Sequence, residues 1–203
     1  MNRDPNQELT AISNQFFLNV PFNIGKTGWI WQGISLKNGT ANFKQSIVKV
    51  HMTPLLPNVE VNQVTPSFDA VDLSGNLIHF PADFRQKVVL IDFWATWNST
   101  SIKQLDQLRS IYAEYQPRGF DIIGVSLDKP KELTKINEVV ASHKFNWSQI
   151  YDGKFWQARV GKQFNVASCP DQILVDCATG KILATQSELN IHILKLILKK
   201  LLN

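Results

Sequence analysis

The sequence predicts an α/β fold, a sandwich in which a central mixed β-sheet is flanked by helices, with a β-rich extension at its N-terminal end. Three observations support this prediction. A nearly continuous apolar run at 88–94 is typical of a strand that is buried on both faces. Strand and helix patterns then alternate as far as residue 140. A hairpin pattern and an amphipathic helix pattern follow them.

Composition and charge exclude several classes of protein. The chain has 203 residues, of which 44% are hydrophobic and 19% charged, as is typical of a globular protein. Its net charge of +4 is modest, and the one local cluster, Lys195, Lys199 and Lys200, lies in a helix pattern, so we expect no nucleic-acid partner. No run approaches the ~18 apolar residues of a membrane span, and the start of the chain lacks the apolar core of a signal peptide. We therefore expect a soluble chain without stable membrane insertion.

The first part of the chain, residues 1–60, is predicted to be a β extension and a linker. A strand pattern at 16–20 is followed by two longer strand patterns, which flank an Asn-Gly turn at 37–40 and so favour a hairpin. Three prolines between 53 and 66 exclude a continuous helix or a central strand, which indicates a linker. The main domain is predicted over 61–203.

The main domain shows a clear order of elements. They are a hairpin at 68–80, a buried strand at 88–94, a helix at 102–115, a buried strand at 120–127, a helix opened by Pro130, a hairpin at 173–183 and a helix at 189–202. The first helix is predicted from apolar residues at three- and four-residue spacing, and Pro117 and Gly119 end it.

The segment KVVLIDFWATW at 87–97, followed by a helix, resembles the strand and active-site entry of thioredoxin-fold proteins, specifically the TlpA/ResA-like branch of the AhpC/TSA group. Other motifs agree in order and spacing, among them Pro170, which stands where that family has its cis-proline. The resemblance covers 64–202 and implies a thioredoxin-like sandwich of the thiol-disulfide oxidoreductase type. It suggests no cofactor. Relatives usually act outside the cytoplasm, although the sequence itself leaves the compartment open.

The four residues after Trp97 depart from the family pattern. The family has Cys-x-x-Cys there, whereas this chain has Asn98, Ser99, Thr100 and Ser101. Disulfide reduction needs a thiolate and a second thiol within reach, and neither an amide nor a hydroxyl replaces them. A catalytic serine would need a base, and no histidine falls within the matching motifs. We therefore expect no dithiol chemistry at the former redox site.

Two compatible interpretations of this site remain. Asn and Ser are preferred N-cap residues, so the former redox site can serve as a helix cap. The resemblance also implies a shallow groove between the helix start and the cis-proline loop, which receives an extended peptide. The leading prediction is a non-catalytic module that binds a protein or extended peptide around Trp97, Asn98, Ser101 and Pro170. A third possibility is an engineered chain whose parent carries Cys-x-x-Cys.

Asp92 matches the buried acid that thioredoxins place beneath the active site. It is either an inherited core carboxylate or a base for another group in the pocket. Burial on a central strand predicts a raised pKa, unless a cation such as Lys87 or Lys103 pairs with it.

Cys169 is the one thiol that the resemblance places near the former chemistry. It precedes Pro170 and is expected close to Asn98. It is either a small buried hydrophobe or a reactive thiol whose thiolate the helix N-terminus favours, so the rival function is a one-cysteine oxidoreductase or peroxidase-like enzyme. A strand pattern separates Cys169 from Cys177, so we expect no bridge between them and no metal site.

Two further expectations concern the surroundings of the site. Asp171 and Gln172 stand where the family usually has small hydroxyl residues, so the chemistry of the rim is expected to differ. Three tryptophans, Trp94, Trp147 and Trp156, are expected in the core.

Overall fold

The computed structural model describes residues 59–202 and two short strands before them, β1 (Phe22–Asn23) and β2 (Ile30–Trp31). The two strands pair antiparallel. Part of a strand predicted at 28–36 is therefore present. The strand predicted at 16–20 and the turn at 37–40 lie outside the described residues.

The chain divides into two compact units, Met1–Leu55 and Leu56–Asn203. Val59 packs against the core of the second unit. The domain boundary after residue 60 stays a prediction.

The second unit contains the remaining strands and helices. In chain order they are β3 (Phe68–Val71), β4 (Leu77–Phe80), β5 (Val88–Trp94), α1 (Ser99–Tyr115), β6 (Phe120–Ser126), α2 (Leu133–His143), β7 (Ser148–Ile150), α3 (Arg159–Gln163), β8 (Asp171–Asp176), β9 (Lys181–Thr185) and α4 (Ile191–Leu202). Both hairpins and all the strands and helices predicted for this domain occur in the predicted order.

A five-stranded mixed sheet with the order β7-β6-β5-β8-β9 forms the centre of this unit. Strand β5 runs parallel to β6 and antiparallel to β8. The predicted mixed sheet is therefore confirmed. The β3–β4 hairpin forms a separate two-stranded sheet, which an isolated bridge between Asp72 and Ile150 joins to the β7 edge.

Strand β5 is buried along its whole length because both faces of the sheet are covered. On one face, Val89, Ile91 and Phe93 pack with the β3–β4 hairpin and α3. On the other face, Val88, Leu90 and Trp94 pack against α1, α2 and α4. Asp92 belongs to this second set, so its carboxyl group lies on the side of the sheet that the three longer helices cover.

Two features of the domain differ from the sequence-based expectation. Helix α2 begins at Leu133 and not at Pro130, because Lys131 has a left-handed φ of 75° that a helix cannot contain. Strand β7 and helix α3 are not predicted, because three and five residues are too short to show a hydrophobic period.

No helix in the described part of the chain is long and apolar enough to span a bilayer. The same residues contain no group of three or more His, Cys, Asp or Glu side chains placed to bind a metal ion.

Candidate functional site

Asn98 caps helix α1 directly after the β5 strand. Its backbone is extended, and its Oδ1 accepts hydrogen bonds from the N–H groups of Thr100 at 2.9 Å and Ser101 at 3.1 Å. These are two of the four N–H groups that the first turn of a helix leaves without a partner. The predicted helix cap is confirmed, and Asn98 provides it.

The same amide ties the helix to the loop before β8. Its Nδ2 donates a hydrogen bond of 2.6 Å to the carbonyl oxygen of Cys169. The bond between Cys169 and Pro170 is cis, as the resemblance implies. Asn98 therefore contacts the helix through its oxygen and the cis-proline loop through its nitrogen, and the expected proximity of Asn98 and Cys169 is confirmed.

Ser101 lies beneath this cap and is only 1% exposed. Its Oγ lies 2.8 Å from the carbonyl oxygen of Asn98 and 3.1 Å from that of Ala95, and it accepts a hydrogen bond from the Ala95 N–H at 3.3 Å. The hydroxyl therefore holds the turn between β5 and α1. It is not presented to solvent.

Asp92 lies in the middle of the sheet and is 1% exposed. The antiparallel register pairs it with Gln172 on β8, and Gln172 Nε2 donates to Asp92 Oδ1 at 2.5 Å. Asp92 Oδ2 has no hydrogen-bond partner among the described residues. Burial raises the pKa of Asp92 to about 7, against the opposing effect of the Gln172 hydrogen bond, and the charge of half-buried Asp171 raises it further. The predicted raised pKa is confirmed.

Neither lysine considered for Asp92 pairs with it. Lys87 binds Asp121 at 2.7 Å, and Lys103 is exposed on α1. The expectation that Gln172 lies on the rim of the site is wrong. Its side chain is 3% exposed, because the strand register points it toward Asp92.

Cys169 is half-buried, and its Sγ lies 3.9 Å from the carbonyl oxygen of Phe93. Burial raises the pKa of its thiol to about 12; a hydrogen bond with Ser101 acts in the opposite direction, and three neighbouring carboxylates raise the pKa further. Desolvation therefore opposes the thiolate form that the helix N-terminus was expected to favour, and the reactive thiol stays a prediction. Cys177 is buried, its pKa is also raised to about 12, and both thiols are free, so the expected absence of a bridge is confirmed.

An aromatic cluster, formed by Trp97, Phe155 and Trp156, lies beside the cap. Trp97 is 46% exposed, as expected, and its ring centroid lies 5.9 Å from that of Phe155 and 6.0 Å from that of Trp156. Its Nε1 donates to the carbonyl oxygen of Leu127 at 3.2 Å. Lys129 Nζ lies 5.5 Å from the centroid of Phe155. The cluster is a fixed apolar surface with a cation at its edge.

Sequence reasoning anticipated only part of this cluster. Trp94 and Trp147 are buried, as expected, but Trp156 is half-buried and contacts Trp97 at the surface. Phe155 was not considered. The signal that could have indicated it is an adjacent Phe-Trp pair within an otherwise polar segment.

Asp128 holds the loops on both sides of the cluster and was also missed. Its side chain is fully buried, and its carboxylate accepts hydrogen bonds from the Thr96 N–H at 3.0 Å, the Thr96 hydroxyl at 2.7 Å and the Ser126 hydroxyl at 2.8 Å. Its carbonyl oxygen accepts the N–H of Phe155 at 3.2 Å. An acid directly after a buried strand is the sequence signal for this role.

The structure thus brings the predicted site residues together at the start of α1. Asn98, Ser101, Cys169 and Pro170 meet around the cap, and the charge of Asp92 raises the pKa of the Cys169 thiol. At neutral pH this arrangement presents a protonated thiol and a capped helix.

Comparison with known proteins agrees with this architecture. The profile of the AhpC/TSA family matches residues 61–183. Thiol-disulfide oxidoreductase ResA of Bacillus thuringiensis subsp. konkukian is 28% identical over 130 residues, which cover 62% of this chain and 68% of that protein. ResA of Geobacillus thermodenitrificans is 33% identical over 124 residues, covering 61% and 67%.

Solved structures show the same fold. The thioredoxin domain of a thiol-disulfide oxidoreductase from Bacteroides vulgatus has a TM-score of 0.61 and 32% identity, covering 72% of this chain and 100% of that domain. The C-terminal domain of a thiol-disulfide oxidoreductase from Bacteroides thetaiotaomicron has a TM-score of 0.62 and 31% identity, covering 71% and 97%. With well over half of its residues matched by the profile, the chain belongs to the AhpC/TSA family, as a thioredoxin-like relative of the ResA-type thiol-disulfide oxidoreductases.

Proposed function

We propose that this protein is a thioredoxin-like binding module without dithiol redox activity. It holds a protein segment or extended peptide in the groove around Trp97, Asn98 and Pro170, whereas Ser101, also predicted at this site, is buried and holds the turn beneath it. The observation that carries the proposal is the use of Asn98: its amide caps α1 and holds the cis-proline loop at the place where exchange chemistry would need a thiolate.

The number and burial of the cysteines support the non-catalytic part of the proposal. The chain contains two cysteines, Cys169 and Cys177, and the six-residue strand β8 lies between them. Burial raises the pKa of both thiols to about 12, which favours the protonated form at pH 7. Exchange needs a thiolate and then a second thiol within reach, and the raised thiol pKa values and the strand between the two cysteines both support the absence of exchange.

The binding part is supported by the rigidity and exposure of Trp97. The ring is fixed by its hydrogen bond to Leu127 and by contacts with two other aromatic rings, yet 46% of the residue is exposed. A large side chain that is already ordered loses little conformational entropy when a ligand covers it. Trp97 is therefore suited to act as an anchor for a partner.

One observation favours the rival function, an enzyme that uses Cys169 alone. The thiol contacts Ser101 and lies within the electrostatic reach of Asp92, a carboxyl group whose pKa of about 7 suits a general base. The raised pKa of the thiol itself opposes this function. We therefore keep the enzyme as the alternative that the experiment must exclude.

Two measurements on the full chain test the proposal. In the first, reduction of insulin by dithiothreitol is followed with and without the protein, and we expect no acceleration. In the second, a library of random ten-residue peptides displayed on phage is selected on the immobilised chain. We expect enriched clones whose binding falls at least tenfold in Trp97→Ala, with folding of the variant checked by circular dichroism.

Two results would contradict the proposal. Acceleration of insulin reduction that Cys169→Ser abolishes would establish the rival enzyme. A selection in which the wild-type chain and Trp97→Ala enrich the same clones equally would remove the binding site from this groove.

We further propose that the protein acts outside the cytoplasm, as its resemblance to ResA-type proteins implies. Cell fractionation followed by immunoblotting tests this location. Recovery of the protein in the cytoplasmic fraction alone would overturn it.

A further inference from the structure

We propose that the segment bound at the aromatic cluster is acidic: an extended part of a partner protein in which one apolar or aromatic side chain is flanked by Asp or Glu. This inference rests on the proposed binding function and names the chemical class of the partner. It is carried by the aromatic cluster together with the lysines of the two loops that frame it.

The apolar half of the argument comes from the three rings. A single exposed apolar side chain is ordinary on a protein surface, whereas rings that contact one another form a continuous patch. Trp97 is exposed, while Phe155 and Trp156 are half-buried and keep part of their surface accessible. In the proposed complex, one apolar side chain of the partner lies on this patch.

The charged half comes from Lys129, Lys131 and Lys154, all of which are exposed. Lys129 Nζ lies over the Phe155 ring at 5.5 Å, and Lys154 directly precedes that residue in the chain. Within residues 59–202, none of these three lysines takes part in an ion pair. Their ammonium groups are therefore available to carboxylates of a ligand.

The acids of the same loops do not neutralise these lysines. Asp128 is fully buried and engaged by the loop around Thr96. The carboxylate of Asp152 accepts the backbone N–H groups of Lys154 at 3.0 Å and Arg159 at 2.8 Å. Half-buried Glu132 offsets one positive charge. With exposed Arg159, these loops carry four cationic side chains against three acidic ones, a formal net charge of +1 beside the rings.

Both loops are held in place, so the charges are presented from a fixed frame. The Tyr151 hydroxyl donates to the carbonyl oxygen of Lys129 at 2.8 Å. The N–H of Phe155 donates to Asp128, and Phe155 and Lys131 both have positive φ, at 54° and 75°. Such non-glycine residues persist only where their surroundings fix them.

This arrangement predicts how a partner is selected. The rings would bind the apolar side chain, and the lysines around them would attract flanking carboxylates. Charges at the edge of an interface act mainly on the rate of association and on its dependence on salt. Preference for acidic flanks should therefore weaken as the salt concentration rises.

The experiment uses three fluorescein-labelled peptides based on a Trp97-dependent clone from the phage selection. They share the apolar residues of that clone, and their remaining positions are filled with Asp and Glu, with Ser and Gln, or with Lys. Binding to the full chain is measured by fluorescence anisotropy at 50 and 300 mM NaCl. At the lower salt we expect the acidic peptide to bind at least tenfold more tightly than the uncharged one, and the basic peptide to bind least.

A pair of lysine variants locates the effect. Lys129→Met keeps the aliphatic stem and removes the charge, and it should weaken binding of the acidic peptide at least fivefold while leaving the uncharged peptide unaffected. Lys199→Met makes the same change in charge on α4 and should alter neither.

Each alternative outcome has a definite meaning. Equal affinity for the acidic and uncharged peptides, with dependence on Trp97 retained, overturns the acidic preference and leaves the proposed function standing. An acidic preference that Lys199→Met reduces as much as Lys129→Met reflects the overall positive charge and also overturns it. If the selection yields no Trp97-dependent clone, the proposed function fails, and this inference fails with it.

Discussion

At the scale of the residue, the amide of Asn98 has two simultaneous uses that can be separated by substitution. Asn98→Ala removes both the helix cap and the bond to the Cys169 carbonyl, and we expect a loss of about 1 to 2 kcal/mol in the free energy of unfolding. Asn98→Ser keeps an oxygen for the cap and should lose less. Urea unfolding of the three proteins measures this, and an unchanged Asn98→Ala would show that the cap contributes nothing.

Asp92 gives a prediction about pH. Its folded-state pKa, about 7, lies above the ordinary value of 3.8, so its contribution to stability is full below pH 3.8 and is lost as the pH rises through 7. Asp92→Asn removes the ionisation and can still accept the hydrogen bond from Gln172. We expect the variant to be more stable than the wild type by roughly 1 to 3 kcal/mol at pH 8 and about equal to it at pH 3.5.

Asp128 provides the contrasting control for this prediction. It is equally buried, but its two oxygens face three donors on Thr96 and Ser126. Asp128→Asn turns an amide N–H₂ toward those donors and should cost roughly 1 to 3 kcal/mol. Urea unfolding at pH 3.5, 6 and 8 compares the two variants. A loss of stability in Asp92→Asn at pH 8 would contradict the account of Asp92.

The reactivity of Cys169 follows from the raised pKa of its thiol. At pH 7.5 we expect iodoacetamide to modify Cys169 at least a hundredfold more slowly than it modifies glutathione, because the thiolate is the reacting species. Mass spectrometry of the alkylated protein over time gives the rate. Modification as fast as that of glutathione would revive the one-cysteine enzyme.

At the scale of the element, the pairing of β6 with β7 depends on a glycine. Gly124 lies opposite Gln149, and a Cβ at position 124 would lie 2.7 Å from Gln149 Cδ and contact Oε1 even more closely. That oxygen accepts the indole N–H of Trp94 at 2.9 Å, and Gln149 is 3% exposed, so the side chain has no room to move. We expect Gly124→Ala to cost about 1 to 3 kcal/mol of unfolding free energy.

The matched test of this prediction shortens the opposing side chain. Gln149→Ala removes the clash, although it leaves the Trp94 indole N–H without its acceptor. In the Gln149→Ala background, Gly124→Ala should therefore cost much less than it does alone. Equal costs in the two backgrounds, measured by a double-mutant cycle, would show that the steric contact is not the cause.

The elements differ in how visible they are in the sequence. Strand β5 is evident in the sequence because a strand that is covered on both faces is apolar along its length. Asp92 is the one charged residue in it. Strand β7 is hidden, because its central residue, Gln149, is polar and is accommodated only by Gly124 on the neighbouring strand. That complementarity belongs to the pair of strands, and no single segment shows it.

At the scale of the whole molecule, the order of elements, the location of the site and the raised pKa of Asp92 could be predicted, whereas the raised pKa of Cys169 could not. The cap at Asn98 and the cis bond before Pro170 follow from motifs in the sequence. The pKa of Cys169 depends on how much water the folded chain excludes and on carboxylates from three different segments. Phe155 and Lys129 come together only because two loops distant in sequence share one hydrogen-bonded frame.

The central claim is that the fold and the surroundings of the former redox site are retained. Only the absence of cysteines at positions 98 and 101 then prevents disulfide exchange. Insulin reduction by dithiothreitol tests it most directly, with the wild-type chain beside the double variant Asn98→Cys, Ser101→Cys, the latter also carrying Cys169→Ala to prevent mispairing. The account predicts no acceleration by the wild type and clear acceleration by the variant, because the buried Asp92 and the exposed Trp97 remain in place. Acceleration by the wild type, or a folded variant that stays inactive, would contradict it.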